Sequence, residues 1–351
     1  MASEPLIVSP VSGEAYVDVT RGDLVESVHR IAACAMDRSG DVLLSVGEID
    51  VPVFLRSTAK PFIAAAIVRE GVGQRFGIDG NEIAVMAGSH NGEPFHIEAV
   101  RSILRKIGLD ETALQCGPHA PYDGASARAL ERSGIPFGPI YNNCSGKHAG
   151  ILALCLAIGA DTATYLNPQN PAEQRILALC ARLSGAGVQD LPIAVDGCGI
   201  PVYATSLRNA ARSFARFASL EGVEELDAAA LATVREAMIK FPQYVGGTGE
   251  FDTVLMQSAA GAIAVKSGAE GVNGTAMLRD GTGMVLKVTD GGSRAVAPAA
   301  VHLLRRLNYL DAPVLDAMEP FEKPVIRNRA GRVVGRIVPR IAELPTRHVG
   351  R

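Results

Sequence analysis

Several features that would assign the chain to a broad functional class are missing from its 351 residues. Basic residues do not cluster and the formal net charge is −3, so the sequence has no electrostatic footprint for nucleic acid. No run of about 18 apolar residues occurs, which argues against a membrane span. Residues 1–5 lack the basic and apolar regions of a signal peptide. We therefore expect a cytoplasmic protein that binds neither nucleic acid nor membrane.

The six cysteines include no Cys-x-x-Cys pair, and without an export signal we interpret them as reduced thiols. The sequence also has no internal repeat and no low-complexity segment. Hydrophobic residues make up 48 % of the chain, which excludes a disordered protein. A chain of this length can bury a large core and is expected to form two lobes.

Alternating apolar residues predict strands near both ends of the chain, and helical periodicity dominates the middle. Strands are predicted at 31–36, 42–46, 51–55, 275–278, 284–288, 325–327 and 333–338, and helices at 57–71, 97–107, 149–158, 172–183, 228–239 and 295–307. This order indicates an α+β fold, with an antiparallel sheet flanked by helices and faced by a helical lobe. We predict a single domain over 1–344, with a sheet lobe at about 1–56 and 250–344, a mainly helical lobe at about 57–249, and a tail at 345–351.

A serine stands three residues before a lysine in segment 56–61, RSTAKP, between a predicted strand and a predicted helix. Residues three apart lie on one helix face, so Ser57 Oγ and Lys60 Nζ are expected to meet. A neutral lysine can take the proton of a serine nucleophile if burial lowers its pKa from about 10.4 to about 7–8. Ser57 and Lys60 are therefore candidate catalytic residues, although helices also carry this spacing by chance.

Two further short motifs follow in the order that is typical of serine β-lactamases and penicillin-binding proteins. Residues 89–91, SHN, lie in a loop bounded by glycines, and residues 266–268, KSG, end an apolar run. In those enzymes the second serine and the second lysine face the first pair across a cleft, which makes Ser89 and Lys266 candidate catalytic residues. The gap between Ser57 and Ser89 is short for a true β-lactamase, so the resemblance concerns the fold more than the substrate.

Two cysteines lie in loops that contain glycine: Cys144 in segment 142–148, NNCSGKH, and Cys198 in segment 196–201, DGCGIP. Thiolates presented by such loops favour a soft metal such as zinc. The residues alone leave unpaired structural thiols as the alternative, since no close cysteine pair accompanies either of them.

Together these segments resemble the rhizobial-type, or class 3, L-asparaginases, also called the asparaginase II or thermolabile asparaginase family. The matching segments are 56–61, 88–93, 142–150, 196–201 and 266–271, in collinear order. The resemblance implies a β-lactamase-like fold, a homodimer, and the site residues that follow. Two Ser-Lys pairs are implied, Ser57 with Lys60 and Ser89 with Lys266, and one zinc ion bound by Cys144, Lys147 and Cys198. Position 267 is serine where the family commonly has valine.

The expected reaction is hydrolysis of the side-chain amide of L-asparagine to L-aspartate and ammonia, with Ser57 as nucleophile. The substrate-binding candidates are Arg56 for the α-carboxylate, Asp196 to bind the α-ammonium group or to orient a metal ligand, Asn91 and His148. Two other hypotheses use the same residues: a penicillin-recognising serine hydrolase or peptidase, and a non-catalytic zinc-stabilised binding protein. The cysteine loops argue against the first, and the presence of both serines and both lysines argues against the second.

Overall fold

The structure, a computed structural model, describes residues 15–341. The strands of this part of the chain are β1 Ala15–Arg21, β2 Leu24–Met36, β3 Val42–Val46, β4 Pro52–Phe54, β5 Ile193–Val195, β6 Pro201–Ser206, β7 Ile263–Gly268, β8 Val272–Met277, β9 Thr282–Val288, β10 Val325–Arg327 and β11 Val333–Ile341. The predicted tail at 345–351 lies outside the described residues.

Helices fill the middle of the chain and recur near its end. They are α1 Lys60–Arg69, α2 Val72–Phe76, α3 Gly80–Met86, α4 Pro94–Lys106, α5 Gly124–Ser133, α6 Ser145–Ile158, α7 Pro171–Ser184, α8 Leu207–Ser219, α9 Glu225–Lys240, α10 Pro242–Val245, α11 Phe251–Ser258, α12 Val296–Arg306 and α13 Ala312–Glu322.

The main sheet is antiparallel, in the order β10-β11-β1-β2-β9-β8-β7, and β3 pairs with β2. The long strand β2 makes this strand order possible. Along one edge its first part pairs with β1 and its last part with β3, and along the other edge it pairs with β9. Strands from both ends of the chain therefore form one sheet, as predicted. The predicted α+β class, with an antiparallel sheet flanked by helices, is confirmed.

Glycines in the central strands allow a helix to lie directly on the sheet. A Cβ atom at Gly283 in β9 would lie 2.1 Å from the backbone nitrogen of Ala215, and one at Gly274 in β8 would lie 2.2 Å from the Phe214 ring. Both contacted residues belong to α8. Every residue of β8 is buried, including the polar Asn273 and Thr275, so both faces of this strand are covered.

Two local differences from the predicted elements bear on function. The segment predicted to begin a helix at residue 57 is a 3₁₀ turn, Arg56–Ala59, and α1 begins only at Lys60. The predicted strand at 51–55 is β4, which joins a separate three-stranded sheet in the order β4-β6-β5. Both β4 and β5 run antiparallel to β6, so they end at the same end of this small sheet. The turn after β4, which contains Ser57, and the turn after β5, which contains Asp196 and Cys198, therefore lie at that end.

Candidate active site

Ser57 lies in a strained turn at the start of α1. Arg56, the residue before it, has a left-handed backbone conformation with φ of 50°, which is costly for a residue with a side chain. Strand β7 packs against this turn at Gly268. A Cβ atom at Gly268 would lie 2.5 Å from Thr58 Oγ1 and 2.9 Å from the Thr58 nitrogen. Thr58 is buried, whereas Ser57 remains partly exposed, so the turn presents the serine hydroxyl and hides its neighbours.

Lys60 is fully buried and joins three segments of the chain. Its Nζ donates to the carbonyl oxygen of Gly88 at 2.6 Å, to Ser89 Oγ at 2.9 Å, and to the carbonyl oxygen of Asn143 at 3.4 Å. Burial lowers the pKa of this lysine from 10.5 to about 8. The positive charges of Lys147 and Lys266 lower it further, against the opposing effect of the Cys144 thiolate.

The structure therefore places the Lys60 ammonium against Ser89, the serine that the family resemblance pairs with Lys266. Within residues 15–341 no hydrogen bond joins Ser57 Oγ to Lys60 Nζ. In a 3₁₀ turn residues i and i+3 are eclipsed, so Ser57 and Lys60 still lie on one side of the turn. Lys60 is thus hydrogen-bonded to Ser89 and lies one 3₁₀ turn after Ser57 in the chain.

The loop that contains Ser89 is fixed on both sides. The Ser89 N–H donates to the carbonyl oxygen of Val245 at 2.8 Å. His90 Nε2 lies 2.8 Å from Ser145 Oγ, which itself donates to the carbonyl oxygen of Ile140. Because the serine hydroxyl donates its proton to Ile140, His90 Nε2 must be the donor to Ser145. The buried Nδ1 of His90 then has a lone pair and no partner among residues 15–341.

Asn91 lies against a glycine-rich loop at 246–249 that the sequence motifs did not reveal. A Cβ atom at Gly247, whose φ is 134°, would lie 2.2 Å from Asn91 Nδ2, so only glycine allows this approach. Thr248 in the same loop donates its N–H and its hydroxyl to the Glu93 carboxylate, at 2.7 and 2.8 Å. Asn91 Oδ1 is buried and has no partner among the described residues, which leaves an acceptor free at the site.

Lys266 lies at the end of β7 and is also buried. Its Nζ donates to the carbonyl oxygen of Ser267 at 2.6 Å and lies 3.5 Å from Asp252 Oδ2. Asp252, in the first turn of α11, also accepts from the Ser267 N–H at 2.8 Å and from its hydroxyl at 2.6 Å. Asp252 was not among the residues predicted from the sequence. Its only signal was an acidic residue three positions after the last glycine of a glycine-rich segment, which is also typical of an ordinary helix start.

Cys144 and Cys198 come together, as the sequence motifs suggested. With Asp196 they form a group whose possible ligand atoms all lie within 4.8 Å of one another. Lys147 Nζ donates to Cys198 Sγ at 3.1 Å and lies 3.9 Å from Asp196 Oδ2. A hydrogen bond from Cys198 holds the pKa of the Cys144 thiol well below its usual range, and the Lys147 charge lowers it further. Two thiols, an amine and a carboxylate form a donor set that fits zinc.

Arg56 and Asp196 bind each other. Arg56 Nε donates to Asp196 Oδ1 at 2.6 Å, and the pair is largely shielded from solvent. Although burial by itself would raise the pKa of Asp196, the charges of Lys147 and Arg56 lower it below its usual value. Asp196 therefore connects the Ser57 turn to the cysteine group, a contact that was not among the roles expected for either residue.

His148 lies on α6 directly after Lys147 but does not join the cysteine group. Its Nδ1 lies 2.7 Å from the Tyr165 hydroxyl, which accepts from the Gln115 N–H at 2.7 Å. The hydroxyl proton can then go to His148 Nδ1, which makes His148 Nε2 a buried donor without a partner among the described residues. Burial holds the pKa of His148 well below its usual value, so the ring is neutral.

Within residues 15–341 no helix has both the length and the apolar character needed to cross a membrane. The structure is similar to that of Mglu in its native form, with 15 % identity over 82 % of this chain and 66 % of that chain, and a TM-score of 0.43. It is also similar to a β-lactamase from Mycobacterium bovis, with 16 % identity over 80 % and 94 % and a TM-score of 0.42. This chain thus spans just under two thirds of the Mglu chain, and likeness at this level does not inform on substrate.

No curated protein matches the chain significantly in sequence. The family profile described as L-asparaginase II, in contrast, matches residues 17–339. That range contains every candidate site residue, from Arg56 to Lys266, and includes nearly all of both groups of strands. The chain belongs to the L-asparaginase II family, a family of amidohydrolases.

Proposed function

We propose that the protein is an L-asparaginase that hydrolyses the side-chain amide of L-asparagine through a serine nucleophile activated by lysine. The observation that supports this most directly is the position of Lys60. It is a buried lysine, adjacent to two candidate serines, with a pKa of about 8. A lysine in that state can accept a proton near neutral pH, which an exposed lysine cannot do.

Ser57 is the proposed nucleophile because it is the partly exposed serine of the pair and lies in the strained turn. Its Oγ attacks the amide carbon, and its proton passes to Lys60, directly or through the Ser89 hydroxyl that is hydrogen-bonded to Lys60. The Ser57 N–H, near the start of α1, is a candidate donor to the oxyanion of the tetrahedral intermediate. The C–N bond then breaks, ammonia leaves with one added proton, and water hydrolyses the ester to aspartate.

The cysteine group is the proposed zinc site, held by Cys144, Lys147 and Cys198, with Asp196 as a further available donor. Bound there, zinc would supply a fixed positive charge beside the substrate. Because Arg56 donates to Asp196, this charge would be connected to the Ser57 turn through one carboxylate.

The substrate's polar ends have candidate partners in the unpaired groups of the site. The buried acceptor Asn91 Oδ1 suits the α-ammonium group, and the buried donor His148 Nε2 suits the α-carboxylate. Arg56 remains a second candidate for the α-carboxylate. Among the described residues, Asp196 binds only the Nε of Arg56 within 3 Å, so the other N–H groups of the guanidinium are available. Binding would satisfy polar groups that are costly to leave unpaired when buried.

The test compares ammonia release from L-asparagine with hydrolysis of a penicillin-type substrate by the same purified protein. We expect stoichiometric ammonia and aspartate from asparagine and no opening of the β-lactam ring. Hydrolysis of the β-lactam without ammonia release would favour a penicillin-recognising hydrolase. Neither reaction from folded protein that contains zinc would favour the non-catalytic binding protein.

A further inference from the structure

The two buried lysines of the site differ in their partners. Within the described part of the chain, the hydrogen bonds of Lys60 Nζ go only to neutral groups, namely two carbonyl oxygens and the Ser89 hydroxyl. Lys266 Nζ lies 3.5 Å from the carboxylate of Asp252, itself only 5 % exposed. A buried lysine without a carboxylate tends to lose its proton, whereas one beside a carboxylate keeps it. The two environments thus give two chemically identical amino groups different tendencies to hold a proton.

Asp252 is fixed in this position through both of its oxygens. Oδ1 accepts from the Ser267 hydroxyl, and Oδ2 accepts from the Ser267 N–H and faces Lys266. The Ser267 hydroxyl in turn accepts from Asn273 Nδ2 at 3.1 Å, and Asn273 Oδ1 accepts from the Thr275 hydroxyl at 3.0 Å. Three donors therefore face the Asp252 carboxylate. Ser267, at the position where valine is common in the family, supplies two of these three.

We propose that Asp252 is the positioning residue that keeps Lys266 protonated, so that Lys60 serves as the proton acceptor and Lys266 as the proton donor. The proposal rests on the asparaginase function proposed above and assigns the two lysines their separate steps. Burial lowers the pKa of Lys266, and the nearby Asp252 carboxylate opposes this effect.

Other charged groups around Lys266 do not replace Asp252. The Cys144 thiolate acts in the same direction but more weakly, and the Lys60 charge opposes it. Strand β8 has no charged side chain, and Arg56 in the adjoining turn is bound to Asp196. On α9, the charged side chains are exposed or held by other partners, as Asp227 is by Arg69 and Arg182. The pKa of Glu250, the residue before α11, is raised by its own burial and by the like charge of Asp252.

The proton balance closes over one turnover. In acylation Lys60 takes the Ser57 proton while Lys266 gives a proton to the departing amide nitrogen, which leaves as ammonia. In deacylation water attacks the ester carbon and loses a proton to the now neutral Lys266. Lys60 returns its proton to Ser57 Oγ as the ester bond breaks. Both lysines then have their initial states again.

The decisive experiment measures the pKa of Lys266 by ¹³C NMR of protein labelled at lysine Cε, with the signal assigned from Lys266→Met. In Asp252→Asn, which keeps the shape of the side chain, this pKa should fall by about 1–3 pH units, since an adjacent opposite charge shifts a pKa by that much. This readout does not depend on activity, so it also decides the matter if the protein does not hydrolyse asparagine.

The rate profile gives the second readout. The alkaline limb of kcat/KM for ammonia release should move to lower pH in Asp252→Asn, the rising limb from Lys60 should stay in place, and Asp252→Glu should restore part of the loss. A matched control is Asp227→Asn, which removes another buried, ion-paired aspartate and should move neither limb.

An unchanged pKa of Lys266 in folded Asp252→Asn overturns the proposal, as does an equal change in Asp227→Asn. If Asp252→Asn does not fold, Ser267→Ala serves instead. It removes one hydrogen bond to Asp252 and should lower the pKa of Lys266 by a smaller amount in the same direction. No change there also overturns it. Absence of ammonia release by the wild type overturns only the proposed function.

Discussion

Replacement of Lys60 by methionine tests the proposed base, because methionine keeps most of the length and none of the proton affinity. At pH 7 a lysine whose pKa is about 8 is neutral in about 10 % of molecules, against about 0.03 % at 10.5. Burial thus raises the neutral fraction roughly 300-fold, equivalent to about 3 kcal/mol. Loss of a positioned general base costs about 10²–10⁴-fold. We therefore expect Lys60→Met to lower turnover by at least ~10³-fold, and Ser57→Ala to lower it comparably, since the two act as a unit.

The pH dependence follows from the same pKa. Lys60 must be neutral to accept a proton, so activity is low below its pKa and rises as pH increases through about 8. The assay is kcat/KM for ammonia release from asparagine between about pH 6 and about pH 10, with metal content checked at each end. In Lys60→Met the rising limb should vanish.

The control is Lys287→Met in β9. Lys287 also donates to backbone carbonyl oxygens and is partly buried, but it has no contact with either serine. It should retain nearly wild-type turnover. Purified, folded Lys60→Met that keeps turnover within about tenfold of wild type, or keeps the same rising limb, would exclude Lys60 as the base.

Three further predictions concern the metal, the substrate and the turn. Purified protein should contain about one zinc ion per chain, which Cys198→Ala should largely lose and Cys180→Ala, at a buried thiol outside the cysteine group, should keep. Full activity of freshly purified wild type without zinc would contradict this prediction. Asparagine should exceed glutamine by at least ~10²-fold in kcat/KM, because one extra methylene displaces the amide by about 1 Å when both polar ends are anchored, and equal efficiencies would exclude such anchoring. Gly268→Ala should lower turnover by about tenfold or more, because the added Cβ would lie 2.5 Å from Thr58 Oγ1. The control Gly138→Ala, where the nearest atom to the added Cβ lies 4.0 Å away, should leave turnover unchanged.

Much of the fold was predictable because periodicity and turn residues are local signals. The helices α4, α6, α7, α9 and α12 correspond to predicted segments within a few residues, and the β2–β3 hairpin was predicted although β2 begins at Leu24, seven residues before the predicted strand. Strands β1, β6 and β7 and helix α8 were not among the predicted segments, although α8 is the helix that covers the sheet. Its place depends on Gly274 and Gly283, and close approach between distant segments leaves no periodic signal.

The candidate site also has parts that were predictable from the sequence and parts that were not. Motif spacing identified the two cysteines that meet and the buried lysine, since each motif is contained in one short segment. The partner of Lys60 could not be predicted, because Ser89 reaches it from another loop. The Arg56–Asp196 pair joins residues 140 positions apart through the small sheet, and Asp252 lies outside every motif. The homodimer and the cytoplasmic location stay predictions.

A covalent intermediate on Ser57 is expected during turnover and can be detected by mass spectrometry. Wild-type protein is mixed with L-asparagine, quenched in acid within the first turnovers, digested and mapped by mass spectrometry. We expect an aspartyl ester on the peptide that contains Ser57. This ester should be absent in Ser57→Ala and slower to form in Lys60→Met. Formation of ammonia with the ester on Ser89 instead, or with no ester on either serine, would contradict this expectation.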